Sequence, residues 1–133
     1  MAKTRIVPPS ELSTKSLLAE DYMKPPGYKT HNDGELPFPD GGLVGEVKAS
    51  FDRLVGLFGP PGPGSSDHKT DVEWDILFDD GTMAWVYNWK NGRAYLGDAG
   101  KLPSQITSWH VGGKGLKCLE HVQAVLDESR RED

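Results

Sequence analysis

The sequence predicts an α+β fold: a small antiparallel sheet packed against two helices, preceded by a Pro-rich N-terminal arm. Three observations lead there. The stretch DVEWDILFDDGTMAWVYNWK, residues 71–90, alternates apolar and polar side chains about Asp80-Gly81, the pattern of a β-hairpin. Apolar stripes with i, i+3, i+4 spacing over residues 43–58 and 115–128 predict helices on either side of it. A second alternating segment, residues 106–111, supplies a third strand.

Residues 1–42 are of a different kind. Pro8-Pro9, Pro25-Pro26, Pro37 and Pro39 interrupt any long element, because proline lacks an N–H and restrains the residue before it. Between them, SELSTKSLLAEDYM makes one short helix, with Ser10 as N-cap and Leu12, Leu17, Leu18 and Tyr22 on a narrow apolar side. KPPGYKTHNDGELPFPDGG is turn chemistry almost throughout. The segment reads as an extended arm, leaving residues 43–133 as a single domain. Such an arm either drapes over its own core or orders against a partner. In the second case Tyr28, Leu36 and Phe38 are its anchors.

In the first helical stripe, Val44, Val47, Phe51, Leu54, Val55 and Phe58 face the core, with Glu46, Lys48, Asp52 and Arg53 opposite. Gly59 suits the C-terminal cap and Pro60-Pro61 blocks continuation. GPPGPGSSDHKT then forms a flexible connection into the hairpin. A two-residue turn at Asp80-Gly81 pairs Phe78 with Met83, Ile76 with Trp85, Trp74 with Tyr87 and Val72 with Trp89, all on one face. The other face carries Asp71, Glu73, Asp75, Asp79, Thr82, Asn88 and Lys90, with Leu77, Ala84 and Val86 as apolar exceptions. In the third strand Thr107, Trp109 and Val111 share one side. Gly112 to Gly115 ends it, and Leu116, Leu119, Val122, Val125 and Leu126 form the stripe of the closing helix. This register seals the aromatic face beneath the two helices, as core.

Composition bounds the function. With 133 residues the chain has room for one modest core. A net charge of −5 and a pI near 5.3 argue against general nucleic-acid binding, which needs a basic face to exchange for counterions. Cys118 is the sole cysteine, which excludes an intramolecular disulfide and a Cys-based zinc site. The start, MAKTRIVPPSE, has no apolar core of a secretory signal, and no apolar run has the length of a membrane span. The expectation is a soluble cytoplasmic protein with no membrane association.

No catalytic constellation stands out. His31, His68, His110 and His121 lack the spacing of a zinc protease or a deaminase, no G-x-S-x-G is present, and Cys118 reads as a packed thiol. No catalytic residue, metal or cofactor is therefore assigned. Two surfaces remain. Residues 71–81 hold five acids and no base, so Asp71, Glu73, Asp75, Asp79 and Asp80 present an acidic face able to dock on a basic groove. The glycine-rich turn before the last helix, with Ser108, His110, Gly112, Gly113 and Lys114, has the free N–H groups and charge to attract an anion. It matches neither a Walker motif nor G-x-G-x-x-G.

The pattern FDRLVGLFGPP…SDHKTDVEWDILFDDGTMAWVYNWKNGRAYLGDAG…ITSWHVGG resembles a group of small accessory proteins encoded by bacteriophages and prophages. These look like a helix ending in F-G-x-P, an E-W strand, a D-G-T turn, a Y-N-x-K strand and a closing W-H-x-G-G. The resemblance covers residues 47–115 and implies a product that alters host machinery or blocks host defence; no catalytic residue comes with it. The expectation is a non-enzymatic protein that binds a host protein or complex and inhibits or redirects it. The alternative is a small-ligand or nucleotide-signal sponge built on the glycine-rich turn. Either is compatible with a homo-oligomer.

Overall fold

The computed structural model describes residues 25–33, 41–65 and 67–132. Strands β1 (Tyr28–Thr30), β2 (Gly42–Lys48), β3 (Gly62–Pro63), β4 (Val72–Phe78), β5 (Met83–Tyr87) and β6 (Ser108–Gly113) are joined by helices α1 (Phe51–Phe58), α2 (Arg93–Leu96) and α3 (Leu116–Glu132). All strands belong to one six-stranded sheet of order β1-β4-β5-β6-β2, with β3 also paired to β4. Every pairing between these strands is antiparallel. The α+β class is as expected, with a sheet twice as wide. No helix among the described residues is long and apolar enough to cross a membrane.

The core lies on one side of the sheet. Val47, Trp74, Ile76, Phe78, Ala84, Val86, Trp109 and Val111 meet Leu54 and Phe58 of α1 and Cys118, Val122, Val125 and Leu126 of α3. The two central indoles are edge-to-face at 5.3 Å, and both find acceptors. Trp74 Nε1 donates to the Gly59 carbonyl (2.7 Å) and Trp109 Nε1 to that of Ala49 (2.9 Å). A buried indole without an acceptor would carry a desolvation cost, so these bonds fix how each helix end meets the sheet.

Several expectations are corrected. Residues 43–58 are not one helix: Gly42–Lys48 pairs with β6, and only Phe51–Phe58 is helical. Ser50 caps the helix, its Oγ accepting from Arg53 N at 3.1 Å, and Gly59 ends it at φ +83°. A bulge between Leu43 and Gly45 shifts the strand's parity. Val44 and Val47, three residues apart, thereby both pack on the core and imitate helical spacing. The third strand runs over Ser108–Gly113, so Gly112 and Gly113 continue it, and the last helix spans Leu116–Glu132.

The hairpin correction matters most. Its turn has three residues, Asp79 to Gly81: Phe78 N donates to Thr82 O (2.8 Å) and Gly81 N to Phe78 O (2.9 Å). Gly81 takes φ +90°, the conformation that glycine adopts without strain. The extra turn residue moves β5 by one position, giving Trp74↔Val86, Asp75↔Trp85 and Ile76↔Ala84. Because side chains alternate, this shift reverses the faces of β5. Ala84 and Val86 enter the core, and Met83, Trp85 and Tyr87 join Glu73, Asp75 and Leu77 on the side away from the helices.

The arm is partly sheet. Tyr28↔Phe78 and Thr30↔Ile76 add β1 to the edge of β4. The Tyr28 ring packs edge-on against Phe58 and Phe78, and its hydroxyl donates to Leu57 O (2.9 Å). The helix expected over residues 10–23, with Leu36 and Phe38, lies outside the described residues.

Candidate binding face

The face turned away from the helices is organised in rows by strand register. One row reads Glu73↔Tyr87↔His110↔Glu46 across β4, β5, β6 and β2. The next reads Asp75↔Trp85↔Gly112↔Leu43. Trp85 lies over Gly112, where an added Cβ would come within 2.3 Å of its Nε1. Tyr87 is edge-on to His110 at 5.6 Å, and Trp89 stacks beside His110 at 6.4 Å with planes 22° apart. His110 Nε2 is 3.7 Å from a Glu46 carboxylate oxygen, and Ser108 Oγ donates to that carboxylate at 2.8 Å.

The lower border of this face is the connection between Asn88 and Leu102, and one residue holds it. Asn88 is fully buried. Its Oδ1 accepts from Asp71 N (2.7 Å) and Val72 N (3.2 Å), while Nδ2 donates to Asp71 Oδ1 (2.8 Å) and Asn91 Oδ1 (3.1 Å). The second Asp71 oxygen accepts from Ala94 N at 3.0 Å. Gly92 is packed into this network, since a Cβ there would stand 2.0 Å from Asp71 Oδ1. The clip presents four large apolar side chains to solvent: Trp89 (40% exposed), Tyr95 (48%), Leu96 (45%) and Leu102 (42%). Lys69 and Lys90 place their ammonium groups 5.7 and 5.4 Å from the Trp89 ring, close enough for cation–π attraction.

At the other edge a cleft of about 300 Å³ opens where β1 gives way to β3. Asp33, Ser65, Glu73 and Asp75 line it, together with Asn32 and the backbone of residues 62–64. Burial first, and then the hydrogen bond and charge of Asp75, push Glu73 up to about 8. Burial likewise raises Asp75, against the lowering influence of Glu73 and His31. Burial and their mutual repulsion thus favour a proton on this pair of carboxyls. Burial and then the Glu73 charge raise the Tyr87 hydroxyl.

The sign of the linkage follows. Folded Glu73 keeps its proton up to about 8, whereas the unfolded chain releases it in the ordinary carboxylate range. Stability from this residue is thus full at acid pH and lost as pH rises toward 8. Glu73→Gln is expected to match the parent near pH 5 and to exceed it at pH 8.5 by about 1–2 kcal/mol, a figure reduced for solvent screening. Urea titrations at the two pH values check it.

The residues expected to form one acidic docking face are placed in separate environments. Asp71 serves the Asn88 clip, Glu73 and Asp75 line the cleft, and Asp79 is exposed in the turn. Asp80 pairs with His121 at 2.7 Å and Lys117 at 3.7 Å, and its hydrogen bonds to His121 and Thr82 hold its carboxyl well below the usual range. The expected anion site is likewise divided. Ser108, His110 and Gly112 sit on the open face, Gly113 faces Cys118, and Lys114 is exposed at the far end of β6. Tyr28 is packed on its own core. Among the described residues, no group of three His, Cys, Asp or Glu side chains is placed to hold a metal ion.

Sequence reasoning placed Trp85, Tyr87 and Trp89 in the core and gave His31 no role at a site. The available signal was the pair Ala84 and Val86, apolar residues that the two-residue turn left on the polar side. No protein-family model, curated protein or solved structure matches the chain.

Proposed function

We propose that this chain is a binding protein that docks on another protein through the open sheet face and its Asn88-to-Leu102 border. In the phage-accessory setting that its sequence resembles, the partner is a host protein or complex, which docking inhibits or redirects. One observation carries the reading: Trp89, Tyr95, Leu96 and Leu102 are each at least 40% exposed on one connection that the buried Asn88 clip pins to the sheet. Aromatic anchors held rigidly lose little entropy on docking, and tryptophan, tyrosine and arginine dominate binding energy at protein interfaces. Lys90, which lies over both the Trp89 and Tyr95 rings, and Arg93 between them give the patch a positive rim. The partner surface that fits is apolar at its centre and acidic around it.

The test is affinity capture from bacterial host lysate at physiological salt, using the parent and a Trp89→Ala/Tyr95→Ala variant. The parent retains a stable partner, and the variant loses at least about a hundredfold in affinity while its melting temperature stays within a few degrees. A parent that captures no stable partner, or a variant that captures it undiminished, contradicts the reading.

A further inference from the structure

We propose that the cleft between β1, β3 and β4 is a binding site for a guanidinium group. Asp75 is only 5% exposed, yet its Oδ1 has no hydrogen-bond donor, and neighbouring His31 Nε2 is buried without a partner too. Buried polar atoms left in this state call for a ligand that completes them. Among the described residues the surroundings have little to give, since the Ser65 hydroxyl donates to Asp67. Asn32 spends its Oδ1 on Asp75 N and its Nδ2 on the carbonyls of Phe58 and Pro60. Gly62, Pro63 and Gly64 bring no side-chain donor. The ligand must therefore supply N–H groups.

It must also be a cation. Asp33 on the β1 side and Glu73 and Asp75 on β4 bring carboxyl groups to the cleft, and among the described residues His31 is the basic side chain that acts on Asp75. Tyr87 on β5 faces Glu73, and the β3 side contributes no titratable group to the lining. Without a cation, a proton held between Glu73 and Asp75 relieves their repulsion. A guanidinium replaces that proton, which leaves to solvent. Its planar fork offers five donors and no acceptor, and it is more weakly hydrated than an ammonium, so it suits two carboxylates at a half-buried site. The cleft's volume, about 300 Å³, admits an alkyl-guanidine.

The test is calorimetric titration of the full chain with propylguanidine and with acetyl-Gly-Arg-Gly-amide, at pH 6.5 and pH 8.5, with butylamine for comparison. Since Glu73 gives up its proton near 8, guanidinium affinity should rise about tenfold or more between the two pH values, with proton release seen in the buffer dependence of the heat. Glu73→Gln removes that pH dependence. Asp75→Asn loses at least about tenfold in affinity, and circular dichroism of both variants checks that the fold is kept. Tighter binding of the tripeptide identifies the natural source as a polypeptide side chain, and tighter propylguanidine identifies a small molecule; either supports the site. No saturable binding of either guanidine, equal binding of butylamine, or an unaffected Asp75→Asn overturns it. Glu73 and Asp75 belong to the open sheet face, but Trp89 and Tyr95 lie on its border outside the cleft lining, so Trp89→Ala/Tyr95→Ala leaves guanidine binding unchanged.

Discussion

Asn88→Ala is expected to destabilise the protein by about 3 kcal/mol or more, because it strands buried backbone donors as well as losing bonds. The side chain is 0% exposed and makes four hydrogen bonds, two of them from the Asp71 and Val72 amides at the start of β4. Once Asn88 is gone, those amides and Asp71 Oδ1 have no replacement, and the Ala94 contact to Asp71 loses its support. Asn88→Asp is expected to do worse, since it sets a second carboxylate against Asp71 in a buried site. The effect is also local. Trp89, Tyr95 and Leu102 are carried by the segment that the clip holds, so partner binding should fall further than global unfolding accounts for. Urea titration for stability, with Trp89 accessibility to a fluorescence quencher for the local part, separates the two. An Asn88→Ala protein within about 1 kcal/mol of the parent would remove the clip from the account.

The second large effect comes from the hairpin register. Val86 is 0% exposed on the core face of β5, paired across the strands with Trp74. Val86→Asp therefore buries an unpaired charge and is expected to cost about 4 kcal/mol or more, enough to unfold a domain of ordinary stability. Tyr87, the next residue, is half-exposed on the opposite face. Tyr87→Gln forfeits ring contacts with Trp89 and His110 and is expected to cost about 1–2 kcal/mol. The two-residue turn reverses this order, with Val86 tolerant and Tyr87 critical. Circular dichroism and denaturation of the two variants side by side decide between them.

Much of the fold was legible in the residues. The existence and order of the hairpin, the strand through Trp109 and the closing helix follow the alternation and the Leu119-to-Leu126 stripe, although Leu116, expected toward the core, is 64% exposed and Cys118 packs there instead. The losses have physical causes. The bulge at Leu43 and Gly45 gave a strand the spacing of a helix, and Ser50, a sound N-cap within that stretch, marked the true boundary. Gly45 belongs to the strand because a Cβ there would stand 2.6 Å from Leu119 Cδ2, so β2 runs close under α3. Strand β1 was hidden among prolines and glycines, because three residues carry no periodicity and only pairing with β4 defines them.

The candidate site was less legible, for one reason. Asp79-Asp80-Gly81 accepts either a two-residue turn or a three-residue turn with glycine at positive φ, and the choice decides which side of the sheet receives Trp85, Tyr87 and Trp89. The better arbiter was Ala84 and Val86 together, which two stray apolar residues on a polar face leave unexplained. The upward shift of Glu73 and Asp75 depends on burial set by β1 and β3. No local pattern reveals it.

Cross-strand proton contacts in the hairpin test the central claim most directly. In the pairing described, Glu73/Tyr87, Asp75/Trp85 and Leu77/Met83 are the pairs that do not exchange hydrogen bonds, so their Hα atoms lie closest. Nuclear Overhauser spectra of the labelled protein should therefore show strong Hα–Hα contacts between Asp75 and Trp85 and between Glu73 and Tyr87. Strong contacts instead between Ile76 and Trp85 and between Trp74 and Tyr87 would return the indoles to the core and contradict the binding face.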